Sequence, residues 1–199
     1  KRALGKYPSW DKIVDDKDRA KHPIMGFKVP RLWRPPYLQI ALDAPNLENA
    51  KEVIRQIPES DRIILEVGTP LLKKYGVRVI RDLREIAKDM FIIADLKTLD
   101  VGKVEVDMAF DETADAVVVS GLAATGVLDG FIYEAKRVGI YAIVDMMEVA
   151  DPVQKLRSLN QLPDVVILHR AIDVEKSGIR ARMELIGELR KTFAHERLL

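Results

Sequence analysis

The sequence has no cysteine, no excess of charge of either sign and no long apolar run. Without cysteine there is no disulfide, thiolate nucleophile or Cys-ligated metal site. The 32 basic and 31 acidic residues give a formal net charge of +1, so no overall field attracts the chain to nucleic acid or to an anionic membrane. No stretch approaches the roughly 20 apolar residues of a membrane span, and no signal peptide is visible. We therefore expect a cytoplasmic protein that binds neither nucleic acid nor membrane.

Short apolar runs alternate with amphipathic stretches from Tyr37 onward. Runs that are apolar throughout are typical of parallel strands buried on both faces, and their alternation with helices indicates βα units of an α/β fold. The predicted strands are 38–42, 63–67, 91–94, 116–119, 142–144 and 165–168. The predicted helices are 47–57, 77–88, 103–110, 127–138, 153–159 and 183–193.

Charged or imidazole side chains stand at the carboxyl ends of five predicted strands: Asp43, Glu66, Asp95, Asp145 and His169. This placement is typical of the active-site mouth of a (β/α)8 TIM barrel. An open doubly wound sheet also collects ligands at strand ends, but its first strand is normally followed by G-x-G-x-x-G. The sequence there is D-A-P-N, which argues against a dinucleotide site.

Six strands are predicted, with a seventh starting at Leu198, whereas a closed barrel has eight. We therefore expect a barrel domain over 37–199 that is incomplete at its C-terminus. Residues 1–36 hold five of the ten prolines and predict an N-terminal arm, with a short helix around 9–17. The arm is either a flexible linker or a tail that is domain-swapped or packed on the surface of the barrel.

The densest cluster of charge is Asp95-Leu96-Lys97-Thr98-Leu99-Asp100, directly after the third strand. Because residues two apart on a strand share a face, Asp95 and Lys97 are expected to project together into the barrel mouth. A carboxylate and an ammonium held this close shift each other's pKa values. A solvated loop at a strand end is the alternative interpretation of this cluster.

Glu66 interrupts an otherwise apolar strand, so its carboxylate requires a cation or a proton. Asp95 is expected beside it on the next strand. Two carboxylates and an oxygen-rich substrate suit Mg²⁺, which binds few protein ligands. The alternative is a Glu66–Lys97 ion pair without metal.

Three further strand-end side chains are candidates. His169 is an acid–base candidate near neutral pH. Asp43 is expected either to hydrogen-bond a substrate hydroxyl or to hold Lys97. Asp145 is a weaker candidate, because its neighbours form no motif.

Taken together, Asp43, Glu66 in L-E-V-G-T-P-L, D-x-K-x-x-D over 95–100 and His169-x-x-x-Asp173 resemble the orotidine monophosphate decarboxylase superfamily, and within it the 3-hexulose-6-phosphate synthases. The join around R-P-P-Y-L-Q resembles that of archaeal bifunctional proteins, which carry a formaldehyde-activating domain ahead of the synthase domain. The metal-free nucleotide decarboxylases of the superfamily carry Lys where Glu66 stands. Glu66 therefore favours the Mg²⁺-dependent branch.

The resemblance implies a homodimeric barrel with shared active sites that acts on a phosphorylated sugar. The reaction would be the reversible aldol addition of formaldehyde to D-ribulose 5-phosphate through an enediolate, giving 3-hexulose 6-phosphate. Mg²⁺ would be held by Glu66 and Asp95, and Asp100 would reach the neighbouring subunit's site. The catalytic residues would be Asp43, Lys97, Asp100 and His169, and the substrate-binding residues Asp43, Thr69, Lys97 and Asp173.

Ala171 and Glu175 depart from the family pattern, which usually has Gly and Gln there, and the phosphate-binding loops of the last two strands find no counterpart. Two alternative functions stay open. One is decarboxylation of a keto-sugar-acid phosphate at the same site, and the other is a catalytically inactive barrel scaffold.

Overall fold

The computed structural model describes Leu32 and residues 35–58, 60–168 and 179–193, without the side chains of 179–183. The predicted arm helix at 9–17, the predicted seventh strand, His169 and Asp173 lie outside these residues. No helix in the described part of the chain is both long and apolar enough to cross a membrane.

Six parallel strands form one sheet in the order of the sequence. This confirms the α/β fold class, as the curled, incomplete part of a (β/α)8 barrel. The strands are β1 Leu38–Leu42, β2 Ile63–Val67, β3 Phe91–Thr98, β4 Ala116–Ser120, β5 Tyr141–Asp145 and β6 Val165–Ile167. The helices are α1 Leu47–Gln56, α2 Thr69–Tyr75, α3 Val79–Ala87, α4 Gly102–Asp111, α5 Thr125–Val138, α6 Pro152–Arg157 and α7 Ile179–Thr192.

The predicted elements agree with the structure to within about two residues, apart from three larger differences. Strand β3 continues to Thr98, so Asp95 and Lys97 belong to the strand and do not follow it. The short helix α2 was not predicted, although Pro70 in its first turn is a helix-start signal. Helix α7 begins at Ile179, four residues before the predicted start at Met183.

Alternation along the strands separates the core into two layers. Outward-facing residues such as Leu65, Ile92 and Val117 pack with the helices in the larger cluster. Inward-facing residues such as Ile64, Ile93 and Ile143 form a smaller cluster inside the curl of the sheet. Leu32 joins this inner cluster with 4% exposure, and its backbone N–H donates to the Tyr141 hydroxyl at 3.3 Å.

An ion pair between Arg84 and Asp115 lies at the amino-terminal end of the sheet. Asp115, just before β4, accepts hydrogen bonds from Arg84 Nη2 at 2.6 Å and from the backbone N–H of Ile92 at 2.9 Å. The Arg84 guanidinium also donates to the carbonyls of Lys88, Met90 and Thr113 at 2.6–2.8 Å. It therefore links the two segments that lead into β3 and β4.

Candidate active site

The inner face of the sheet changes from apolar to polar toward the carboxyl ends of the strands. On β2, Ile64 is followed two residues later by Glu66; on β3, Ile93 is followed by Asp95; and on β5, Ile143 is followed by Asp145. Since residues two apart share a face, the apolar layer continues directly into a polar one. This polar layer is the mouth at which ligands bind in barrel enzymes.

Lys97 lies between two buried carboxylates. Its Nζ is 2.9 and 3.0 Å from the two oxygens of Asp95 and 3.1 Å from Asp145 Oδ2. The Asp95 and Asp145 side chains are 7% and 2% exposed. Burial disfavours the ammonium, but the hydrogen bonds and charges of Asp95 and then Asp145 outweigh it, so the pKa of Lys97 lies above its ordinary value. Lys97 therefore stays charged at neutral pH.

The backbone at Lys97 is strained. Its φ is +46°, in the left-handed region that side chains other than glycine rarely adopt. The pairing of β3 with β4 shifts register between Ala94 and Thr98. Such irregularities re-aim side chains and occur preferentially at functional sites. Here the shift accompanies a Lys97 that reaches across β4 to Asp145 on β5.

Glu66 accepts a hydrogen bond at 2.5 Å from Gln39 Nε2 on β1, and it makes no ion pair among the described residues. Burial raises the pKa of Glu66, the Gln39 hydrogen bond opposes that effect, and the negative charge of Asp95 reinforces it; the net direction is upward. The alternative of a Glu66–Lys97 ion pair does not occur, because the Lys97 ammonium contacts the other two carboxylates.

Asp43 lies at the surface, directly after β1, and does not hold Lys97. That part of the prediction is wrong, because Lys97 turns away from β1 toward β5. Asp43 instead packs beside Gly68, where an added Cβ would lie 1.9 Å from Asp43 Oδ1. Only glycine fits at position 68 without moving that carboxylate.

Thr69 and Asp100 have local partners. The Thr69 hydroxyl lies 2.9 Å from Asp95 Oδ2 and 3.0 Å from the Asp95 carbonyl, so it helps to fix the Asp95 side chain. Asp100 is exposed, and its Oδ1 accepts from the Val101 backbone N–H at 2.7 Å. Among the described residues, no hydrogen bond or ion pair joins Asp100 to Glu66, Asp95 or Lys97.

The sequence analysis placed Asp145 below the other candidates, yet its side chain is one of the two carboxylates that bind Lys97. Its Oδ1 accepts from the Met147 backbone N–H at 2.9 Å while its Oδ2 contacts Lys97. The available signal was its position at the end of an apolar strand, in the same register as the other strand-end carboxylates. A neighbouring motif would not have revealed it, because its partner is 48 residues away.

The carboxylates of the mouth determine whether a metal ion fits there. Within the described ranges, no three histidine, aspartate or glutamate side chains are grouped closely enough to hold one. Burial and the negative charge of Asp95 on the adjacent strand nevertheless raise the pKa of Glu66, a shift that a cation would reverse. This arrangement fits Mg²⁺, which is commonly held by one or two carboxylates and retains several waters.

A model of the orotidine 5'-phosphate decarboxylase / HUMPS family matches residues 36–197. The chain belongs to this family. The bifunctional enzyme Fae/Hps of Methanothrix thermoacetophila is 54% identical over 176 residues, which is 88% of this chain and 45% of that protein. The protein of the same name from Methanocella arvoryzae is 48% identical over 198 residues, and its match covers 50% of its length. The chain thus spans about half the length of these relatives.

Solved structures of the family share the fold. The 3-hexulose-6-phosphate synthase from Salmonella typhimurium has a TM-score of 0.69 and 32% identity, covering 78% of this chain and 74% of that one. A 3-keto-L-gulonate-6-phosphate decarboxylase from Vibrio cholerae has a TM-score of 0.66 at 24% identity, covering 81% and 75%. The second similarity concerns the fold alone.

Proposed function

We propose that the chain carries the synthase site of a Mg²⁺-dependent 3-hexulose-6-phosphate synthase. The reaction joins formaldehyde to D-ribulose 5-phosphate, or cleaves 3-hexulose 6-phosphate into these two compounds. The observation that carries the proposal is the mouth itself, where Lys97 is fixed by Asp95 and Asp145 while Glu66 on the adjacent strand has no cationic partner among the described residues. The relatives named Fae/Hps and the synthase structures support the same function.

In this proposal the residues of the chain provide charge stabilisation and proton transfer. Cleavage breaks one carbon–carbon bond. The hydroxyl of the departing one-carbon unit gives up its proton as formaldehyde forms, and the bonding electron pair stays as negative charge on the five-carbon fragment, which must then take up a proton. Lys97 stays protonated and is held in place by its two carboxylates, so it is suited to stabilising that charge without reorganisation. Asp43 would hydrogen-bond a substrate hydroxyl, and His169 would transfer the proton.

Glu66 and Asp95 would hold the Mg²⁺, which when bound supplies positive charge opposite adjacent substrate oxygens. Two carboxylates leave coordination positions for water and for the sugar, as Mg²⁺ prefers. Thr69 supports this role of Asp95 through its hydrogen bond to Oδ2. Thr69 is thereby a positioning residue for Asp95, in addition to the substrate contact expected from the sequence.

A homodimer is part of the proposal. Four exposed apolar side chains, here called the apolar stripe, lie just before α4 and along it. Leu99, Val101 and Val104 are 55–59% exposed, and Met108 is 43% exposed. Exposed large apolar side chains that are close in the sequence, as here, are consistent with an association site. Asp100 lies within the stripe, so a second subunit that covers it would bring Asp100 toward the partner's mouth.

The function is tested by measuring ribulose 5-phosphate release from 3-hexulose 6-phosphate with and without EDTA. The assay uses this chain and a version extended through two further strand–helix units, since eight strands close a barrel. We expect the extended protein to be active and EDTA to abolish that activity. Metal binding without turnover would favour the keto-sugar-acid phosphate decarboxylase, and neither binding nor turnover would favour the scaffold.

Sharing of the site between subunits is tested by complementation. The Asp100→Ala and Lys97→Ala variants should each be inactive as homodimers in the extended protein. Mixed heterodimers should recover part of the activity, because one of their two sites regains both residues. Heterodimers that form but stay inactive would contradict the shared site.

A further inference from the structure

We propose that Gln39 is a positioning residue of the cation site: its amide holds one oxygen of Glu66 and leaves the other for the cation. The inference rests on the Mg²⁺ site of the proposed function and adds a residue to it. Gln39 lies on β1, outside the set of strand-end charges from which that site was assembled.

The strand register places Gln39 within reach of Glu66. Ala41 pairs with Glu66, and Gln39 pairs with Ile64. Gln39 is therefore the diagonal neighbour of Glu66 on the same inner face, a separation that long side chains bridge. Gln39 Nε2 donates to Glu66 Oε2 at 2.5 Å, and this bond fixes the rotation of the carboxylate.

The two oxygens of Glu66 have different surroundings. Oε2 accepts from Gln39, whereas Oε1 accepts no hydrogen bond from the described residues. Asp95 is the opposite case, because Lys97 contacts both of its oxygens and Thr69 contacts Oδ2. Glu66 is thus the carboxylate of the pair that keeps one oxygen without a hydrogen-bond partner among the described residues.

Gln39 is suited to orienting Glu66 because its side chain carries no charge. A lysine or arginine at position 39 would form an ion pair with Glu66 and compete with the cation for it. An amide orients the carboxylate and leaves its charge intact. Hydrogen bonds to ligating carboxylates are a general feature of metal sites, and losing one reduces metal affinity by about 10- to 100-fold.

The same pair of residue types occurs on the protein surface and provides a matched control. On α1, Gln56 Nε2 donates to Glu52 Oε1 at 3.2 Å, also from an exposed glutamine. Gln56→Leu removes a glutamine–glutamate hydrogen bond remote from the mouth. Any effect of Gln39→Leu beyond that of Gln56→Leu therefore belongs to the site.

The test measures Mn²⁺ binding to the chain by electron paramagnetic resonance of the free ion, with Mg²⁺ as competitor. The variants are Gln39→Leu, Gln39→Asn, Gln56→Leu and, as the null-binding reference, Glu66→Gln. We expect Gln39→Leu to weaken binding about tenfold, Gln56→Leu to leave it unchanged and Glu66→Gln to abolish it. Gln39→Asn keeps the amide but shortens its reach, and it should also weaken binding, which maintains the test if Gln39→Leu fails to fold.

The outcomes separate this inference from the proposed function. Tight Mn²⁺ binding by the unmodified chain that is unchanged in both Gln39 variants would overturn the role of Gln39 and leave the metal site standing. Loss of affinity in Gln56→Leu equal to that in Gln39→Leu would also overturn it. No binding by the unmodified chain would overturn both the cation site and the role of Gln39.

Discussion

The two ends of the sheet each carry a buried ion pair, and the pairs differ in what surrounds the cation. At the amino-terminal end, Arg84 binds Asp115 and three backbone carbonyls. At the carboxyl end, the partners of Lys97 among the described residues are all carboxylates, in a mouth that also contains Glu66. The Arg84 guanidinium donates mainly to backbone carbonyls, so it stabilises the fold. The Lys97 ammonium lies between carboxylates, so the same groups are able to interact with a charged ligand.

Residues with positive φ occur at both ends of the sheet. At the amino-terminal end they are Lys88 and Thr113, whose carbonyls accept from Arg84. At the carboxyl end Lys97 has a positive φ and β3 shifts register. The ends therefore differ in charge and not in backbone strain, since burial raises the pKa of Glu66 at the carboxyl end.

The largest expected effect on stability comes from breaking the structural pair. Arg84→Met leaves the buried Asp115 carboxylate without its cation, so the free energy of unfolding should fall by about 3–5 kcal/mol. Chemical denaturation measures this change, with Arg55→Met in the exposed Glu52 pair as the control, expected to shift it by less than about 0.5 kcal/mol. Turnover per folded molecule in the extended protein should stay unchanged, and a large loss there would refute the division between the two ends.

Breaking the pair at the mouth should affect turnover. Lys97→Met removes the ammonium that faces developing negative charge, so kcat per folded molecule in the extended protein should fall by about 100- to 1,000-fold. Because Asp95 and Asp145 then lack their cation, a loss of stability should accompany it. Steady-state kinetics on 3-hexulose 6-phosphate measures it, and Lys51→Met on α1 is the matched lysine control. A variant with normal kcat would show that Lys97 is structural, as Arg84 is.

The smallest expected effect is a gain of stability on removing the Glu66 charge. Because its folded-state pKa lies above the ordinary value of 4.5, the folded protein binds this proton more tightly than the unfolded chain. Stability is therefore lost as pH rises from about 4.5 through the raised pKa. In EDTA, Glu66→Gln should unfold at higher denaturant concentration than the unmodified chain at pH 7, and the difference should vanish below about pH 4.5. A Glu66→Gln variant less stable at pH 7 would contradict this.

The sequence was sufficient for the strand order and for the positions of the charges. Apolar runs followed by Asp43, Glu66, Asp95 and Asp145 place these side chains at one end of a parallel sheet, whatever the details of the turns. The partners of Lys97 were not predictable, because they depend on a register shift and a left-handed residue that have no local signal. Helix α2 was not predicted because it is only seven residues long and directly follows Gly68, a combination that is also typical of a turn.

The roles of His169 and Asp173 stay predictions from the sequence, as do Mg²⁺ and the homodimer. Asp145, a weaker candidate in the sequence analysis, and Gln39, which the sequence did not single out, are residues that the structure adds to the site. Each acts through a side chain on another strand, so nothing in its own sequence neighbourhood marks it. Such contacts are found by register and distance, not by motif.

The measurement that tests the central claim most directly is turnover of 3-hexulose 6-phosphate by Glu66→Gln beside the unmodified extended protein at saturating Mg²⁺. We predict that the unmodified protein releases ribulose 5-phosphate, and that Glu66→Gln keeps its fold and falls to background. Unchanged turnover in the folded Glu66→Gln variant would contradict the assignment of the mouth as a Mg²⁺-dependent aldol site.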